Sequence, residues 1–390
     1  MNTGDASYIK KLNRKILIEE LIKNKSLSRS KLARITGLNK ATVSAQVSDL
    51  LHEQIVVETN EGASVTRGRK PILLEINGDA GYSIGIDIDE IHMNIIFTNL
   101  QGKPFYRINL SINDISLDHV ADFLVEVLSP VIDQFNQSYH PIGLVGVGVG
   151  IHGIVNNKNE VVFTPNQKWS TINISERLEA AFHTVVSTDN NANLCVFAEH
   201  VYEEPLADLF SITLYSGIGL GIVNDNKIYR GFKGFAGEIG HMIVKSNGDR
   251  CPCGNRGCWE LYASERSFTN ELKTRFPSLP LPEGIDAMVN DSTFKAILDD
   301  YLHYLAIGLN NIINIFNPEK IILNGEILNG HLPYIDEIQN KLTSKINNYQ
   351  EIRASYLGAD ACALGGAALA LKNFYDVDMI NFVEYNYALR

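Results

Sequence analysis

The apolar positions of this chain follow one period through its first fifty residues and another through most of the remainder. In KLNRKILIEELIKN, residues 11–24, Leu12, Ile16, Leu17 and Leu21 fall on one helical face. The next stretch, SLSRSKLARITGLNKATVSAQVSDLLHEQ, reads as two short helices around a turn. Ser28 is placed to cap the first of them, with Leu32, Ala33 and Ile35 as its apolar positions. Gly37 supplies the turn and Asn39 caps the second helix. There Val43, Val47, Leu50 and Leu51 recur at i, i+4, i+7 and i+8, a narrow buried stripe. IVVETN and PILLEIN then read as two strands joined by EGASVTRGRK, a basic hairpin tip containing glycine.

From Gly81 strands alternate with helices, the pattern of an α/β body. GYSIGIDIDEIHMNIIFTNLQG predicts two strands around a turn, and GLVGVGVGIHGIV a buried strand running into a glycine-rich loop. VVSTDNNANLCVFAEHVY reads as strand, polar loop and helix, and LFSITLYSGIGLGIVNDNKIYRG as a hairpin. LNNIINIFNPEKIILNGEIL reads as helix, Asn-Pro break, strand and glycine turn. A length of 390 residues exceeds one ordinary core. The expected division is a winged helix-turn-helix domain over 1–76 and a body over 77–390.

Charge sharpens that division. Residues 1–75 hold 13 Lys and Arg against 8 Asp and Glu, while the rest hold 21 against 37. A basic head on an acidic body implies that only the head meets a polyanion. The second short helix presents Lys40, Thr42, Ser44 and Gln46 opposite its apolar stripe, short or polar groups free of acids that suit base edges. Ser28 and Arg29 at the start of the preceding helix, and Arg67 and Arg69 on the hairpin tip, complete the expected contacts to double-stranded DNA. The alternative for this head is a small helical module that binds protein. No apolar run approaches the ~18 residues needed to cross a bilayer. The opening MNTGDASYIKKLNRK lacks the apolar core of a signal peptide, so no membrane partner and a cytoplasmic location are expected. Three of the five cysteines lie within eight residues, which favours a metal cluster in a reducing compartment over disulfides.

The strings GFAGEIGHMIV and CPCGNRGCWELYAS resemble the ROK family (repressors, open reading frames and kinases), and the likeness extends over nearly the whole chain. GLNKATVSAQVSDLL, TPNQKW and GFAGEIGHM are most similar to its xylose-repressor branch. The resemblance implies two α/β lobes of the actin/hexokinase type with sugar bound between them. It also implies sugar contacts at Asn166, Asn190, Glu238, His241 and Glu260, with Asn191 in the place of the catalytic base. His241, Cys251, Cys253 and Cys258 offer one imidazole and three thiolates, a closed ligand set that suits structural Zn2+ near residues 241–258 and leaves no position for catalysis.

Three departures from the ROK kinases argue against an enzyme. Their base is an aspartate; an amide such as Asn191 cannot accept a proton near neutral pH, and general-base help is worth roughly 10²–10⁴-fold. Their phosphate turn is D-x-G-G-T, whereas this chain reads Asp87-Ile88-Asp89-Glu90-Ile91, with carboxylates in place of glycines. NGEILNG likewise replaces a glycine-rich turn on the adenosine side. His152 replaces a proline usual in the PGxV loop. No Walker-type phosphate loop occurs. The expected function is therefore a repressor released from operator DNA by a sugar, D-xylose by resemblance, acting as a homodimer or higher homo-oligomer. A ROK kinase with a DNA-binding head, and a regulator governed by a protein partner, are the alternatives.

Overall fold

The computed structural model describes residues 6–59, 71–90, 92–112, 119–164, 174–203, 205–278, 285–331 and 333–383. The head begins with a helix, Ala6–Asn24, that buries Leu17, Ile18, Leu21 and Ile22. The expected face is thus turned: Leu12 is 44% exposed and Ile16 is half-buried. Two shorter helices follow, Arg29–Thr36 and Lys40–His52. Ser28 caps the first by accepting from the Lys31 N–H, and Asn39 caps the second by accepting from the Thr42 N–H. Gly37 between them takes the left-handed conformation. Leu32 is buried as expected, but Ile35 is 41% exposed.

Strands Val56–Thr59 and Leu73–Ile76 pair antiparallel. A third strand, Ser26–Ser28, adds to the other edge of Leu73–Ile76. Three residues between helices carry no readable period, so this strand is invisible to pattern reading. The result is a three-stranded sheet beside three helices, the winged form of the helix-turn-helix.

The chain folds as two compact units: Met1–Leu194 with His200–Pro205 and Cys362–Arg390, and Cys195–Glu199 with Leu206–Ala361. Each contains a five-stranded sheet of the same plan. In the first unit the order is Val186–Asn190, Gly143–Ile151, Gly81–Ile88, His92–Asn99, Pro104–Ser111. The first three strands are parallel and the last three form an antiparallel meander. In the second unit Glu351–Ala354, Lys320–Asn324 and Leu209–Thr213 are parallel, and Gly219–Asn224 and Lys227–Ile228 complete the meander.

Helix Val120–Ser138 buries Val120, Leu124, Leu128 and Ile132 on the first sheet. On another helix of that unit, Ala361–Tyr375, backbone meets backbone: a Cβ on Gly85 would lie 1.7 Å from the Ala363 carbonyl oxygen, and one on Gly148 2.1 Å from that of Gly366. The run of small residues in GLVGVGVG and ACALGGAALA is therefore a close helix–sheet contact. Just past that helix the chain is tied to the head. Glu19 accepts from the Asp378 and Met379 N–H groups at 2.9 and 3.2 Å, while Lys11 pairs with Asp376 and Lys15 with Asp378.

In the second unit the long helix Ser292–Phe316 is capped by Asp291 and ends at Asn317 in the left-handed conformation, before the expected Asn-Pro break. Its apolar face packs with Trp259, Phe268, Ile321 and Leu323. Among the described residues no helix is long and apolar enough to cross a membrane.

Candidate functional site

The helix Lys40–His52, expected to read DNA, exposes Lys40, Ala41, Ser44, Ala45 and Ser48, with Thr42 half-buried. Gln46 is a correction. It stands three residues after Val43 and four before Leu50, inside the apolar stripe, and is only 5% exposed. Its Oε1 is buried without a hydrogen-bond partner among the described residues. Ala41, Ala45 and Ser48 share the exposed face and were missed; counting i+4 and i+8 from Lys40, or i+3 and i+4 from Ala41, would have found them. Alanine methyls at such positions suit a thymine methyl. Arg29 is held at 2.7 Å by Glu58 of the wing strand. Arg67, Arg69 and Asn166 lie outside the described residues.

In the first unit the parallel strands end in register: Asp87 lies beside Gly150, and Gly150 beside Asp189. Ligands of α/β sheets collect at such carboxyl ends. TDNNAN is not a loop, as the sequence suggested. The strand runs through Asn190, and the helix Asn191–Tyr202 starts at the next residue. Asn190 ties the junction with one donor and one acceptor contact, donating to the Gly153 carbonyl at 2.6 Å and accepting from the Ala192 N–H at 2.8 Å. Asn193 donates to Asp189 at 2.9 Å. Asn191, 6% exposed, donates to the Asp87 carboxylate at 3.2 Å.

The turn after Asp87 also uses up its own donors. The Asp89 N–H goes to the His92 carbonyl at 2.9 Å, and the Asp89 carboxylate accepts the Glu90 N–H at 2.7 Å. Those two N–H groups are not available to a phosphate. His152 sits between carboxylates, Nε2 at 3.3 Å from Asp87 and Nδ1 at 3.4 Å from Asp89.

The second unit carries the other residues expected to contact sugar, Glu238, His241 and Glu260. Glu238 precedes a short 3₁₀ turn, Ile239–His241, and Glu260 opens the short helix Glu260–Ala263. His241 faces Glu260 with Nδ1 at 3.3 Å and Glu238 with Nε2 at 4.0 Å. Burial pushes the Glu238 carboxyl above its ordinary range. The ligand atoms of His241, Cys251, Cys253 and Cys258 all lie within 4.8 Å of one another. Two thiolates on a tetrahedral ion at about 2.3 Å stand about 3.8 Å apart. Cys253 Sγ is 3.6 Å from Cys258 Sγ, and Cys251 Sγ is 3.6 Å from His241 Nδ1, so the set fits a single metal ion. Burial pushes the Cys251 and Cys258 thiols up, which leaves a cation as the means of keeping them as thiolates. The loop is tight enough to require Gly257, where a Cβ would lie 1.8 Å from the Lys245 carbonyl oxygen.

A buried acid also fills the NGEILNG turn. Glu265 accepts from the Glu326 N–H at 3.0 Å and the Ile327 N–H at 2.7 Å, and burial raises its carboxyl to about 7. A raised carboxyl favours the folded state while protonated, so that contribution is complete below about 4.5 and lost as pH rises through about 7. The shift corresponds to about 3 kcal/mol across that window. Glu265→Gln is expected to flatten this part of the stability–pH curve, as melting at mildly acidic and mildly alkaline pH would reveal. An equal slope in the variant would place the dependence elsewhere.

The ROK family pattern matches residues 83–373. The chain is similar to the xylose repressor of Bacillus spizizenii, 37% identical over 384 residues that cover 97% of this chain and 99% of that one. A ROK family transcriptional regulator, a homologue of the E. coli MLC protein, has a solved structure with a TM-score of 0.77 at 23% identity, covering 95% of this chain and 97% of that one. A ROK family glucokinase from Streptomyces griseus, solved with glucose and AMPPNP, gives a TM-score of 0.62 at 24% identity, covering 74% and 99%. These likenesses show the fold, an actin/hexokinase-like α/β body. With a family match over most of the chain and a relative this similar over nearly its full length, the chain belongs to the ROK family.

Proposed function

We propose that the chain is a sugar-responsive transcriptional repressor without kinase activity, released from its operator by D-xylose. One observation carries the reading: a winged helix-turn-helix and a ROK body share the chain, and Asn191 at the base position is bonded to Asp87. An amide so placed offers hydrogen bonds to a hydroxyl but cannot take its proton. Similarity to xylose repressors along nearly the whole chain supports xylose over other sugars.

The sugar is held by hydrogen bonds with Asn166, Asn190, Asn191, Glu238, His241 and Glu260, since each vicinal diol needs paired donors and acceptors. The metal is zinc, held by His241, Cys251, Cys253 and Cys258. It supplies rigidity to the loop that carries His241 towards Glu238 and Glu260. His241 serves both sites, with Nδ1 towards the cysteines and Nε2 towards Glu238. The DNA-binding domain is 1–76 and the sensor 77–390, working in the cytoplasm as a homo-oligomer because half-sites one helical turn apart need paired heads.

The head is tested directly. Replacing Lys40, Thr42 and Ser44 with alanine is expected to abolish specific operator binding and leave sugar binding unchanged, read by fluorescence anisotropy and calorimetry. Loss of both would mean that the head reading is wrong and the substitutions merely unfold the chain. Arg69→Ala is expected to weaken binding to all DNA sequences alike, with the salt slope reduced by roughly 0.9 for each phosphate no longer neutralised.

A further inference from the structure

His152, Asp87 and Asp89 form a polar cluster that the sugar set does not use. Its polarity is fixed from one end to the other. A carboxylate accepts and does not donate, so the group of Asn191 that meets Asp87 at 3.2 Å is its amide nitrogen. The carbonyl oxygen of Asn191 is thereby turned away from Asp87. On its other side Asp87 meets His152 Nε2, and His152 Nδ1 meets Asp89, whose carboxylate is held by the Glu90 N–H. From the turn at Asp89 to the start of the helix at Asn191 the groups follow one another closely, but His152 Nε2 approaches Asp87 as a charge and makes no aligned hydrogen bond to it.

We propose that His152 and Asp87 are positioning residues that present the carbonyl oxygen of Asn191 to the effector, so that the sensor takes at this point a free hydroxyl that donates a hydrogen bond. The inference rests on the sugar-sensor reading above and deepens it. An asparagine free to turn about its last bond offers oxygen or nitrogen, and so tolerates a hydroxyl, an ether or a fluorine. With the nitrogen committed to Asp87, a substituent that cannot donate leaves a buried oxygen unpaired. Sites built around such a bond reject the analogue strongly, where apolar contacts alone do not.

The arrangement is also linked to a proton. Burial pulls the His152 imidazole down, but the nearby carboxylates of Asp87, Asp89 and Glu90 outweigh it, and the group ends above its ordinary range. The clamp is complete with the imidazolium and loosens as pH rises through that raised value. Discrimination is expected to weaken in the same direction, as pH rises above the ordinary histidine range.

The test is calorimetric titration of the full chain with D-xylose and with its monodeoxy and monodeoxyfluoro derivatives. At one ring position the fluoro compound, which accepts but does not donate, is expected to bind about tenfold weaker than D-xylose and no better than the deoxy compound. Asp87→Asn frees the Asn191 amide to turn and is expected to reduce that ratio to about threefold, with His152→Gln between the two. Fluoro derivatives that match D-xylose at every position, or a ratio unchanged in Asp87→Asn, would overturn the proposal. A proton NMR titration of His152 in the sugar-free parent needs neither variant. Its midpoint is expected above about 6.5, and an ordinary or lower midpoint removes the clamp. A parent that binds no pentose or hexose but keeps the raised midpoint would instead overturn the sensor reading.

Discussion

Cys253→Ser is expected to strip the metal from its cluster and to lower the thermal stability of the second unit more than any single surface change. Cys253 is exposed, so exchanging sulfur for oxygen there removes no packing, and the loss reports on the ion itself. Its partners Cys251 and Cys258 are buried with raised thiols. Without the cation they revert to neutral thiols, and the turn through Gly257 loses its cross-link. Structural zinc contributes on the order of 10 kcal/mol in small zinc peptides, and a folded scaffold around the loop will retain part of the structure without it. The response to sugar is expected to go with the metal, because His241 loses the ligand that orients Nε2. Metal content, melting temperature and sugar titration of the variant are the measurements. A protein that holds no metal yet melts and titrates like the parent would remove the structural role.

Asn191→Asp is expected to leave the chain unable to phosphorylate sugar and to weaken sugar binding about ten- to hundredfold. The substitution restores a base of the kinase type, but the donors around it are already committed. The Asp89 and Glu90 N–H groups are bonded within the turn, and Glu265 holds those of Glu326 and Ile327. Positioning is most of phosphoryl-transfer catalysis, and these four N–H groups are not free to hold a phosphate. The new carboxylate would also stand where an amide now donates to Asp87 at 3.2 Å. Two carboxylates at that distance repel, and one of them takes up a proton more readily. The broken pairing costs roughly 1–3 kcal/mol. Affinity is expected to recover partly as pH falls, when a shared proton bridges Asp87 and the new acid, with His152, Asp89 and Glu90 as the neighbouring charges. Calorimetry and an ATP-turnover assay check both parts. Sugar-dependent ATP turnover, or an unchanged affinity, would contradict the sensor reading of this site.

Much of the fold is legible because it depends on neighbours within a few positions. Ser28 and Asn39 cap the helices that follow them, since a cap needs only N–H groups three residues on. The Asn-Pro pair ends a long helix, and the alternation of strands and helices in the body gives its class. The ligand set that could hold a metal is legible for the same reason. Three of its ligands lie within eight residues, and the thiol and imidazole donors name their own chemistry.

The outcomes that a sequence leaves open all depend on distant partners. Gln46 looks like a base-reading residue until the packing of three helices shows its face to be the buried one. Arg29 looks free for DNA until Glu58, from a strand whose pairing spans the wing, takes it. Lys11 and Lys15 belong to a basic head by composition, yet their carboxylates lie some 360 positions away at Asp376 and Asp378. The amides of TDNNAN announce polar chemistry, while only the register of three parallel strands brings Asp87 to Asn191 and decides which end of that amide is left to bind. Short-range spacing determines which elements form and which donor types they carry. The direction of each hydrogen bond is set by whichever group the tertiary fold brings opposite, and that group is remote along the chain.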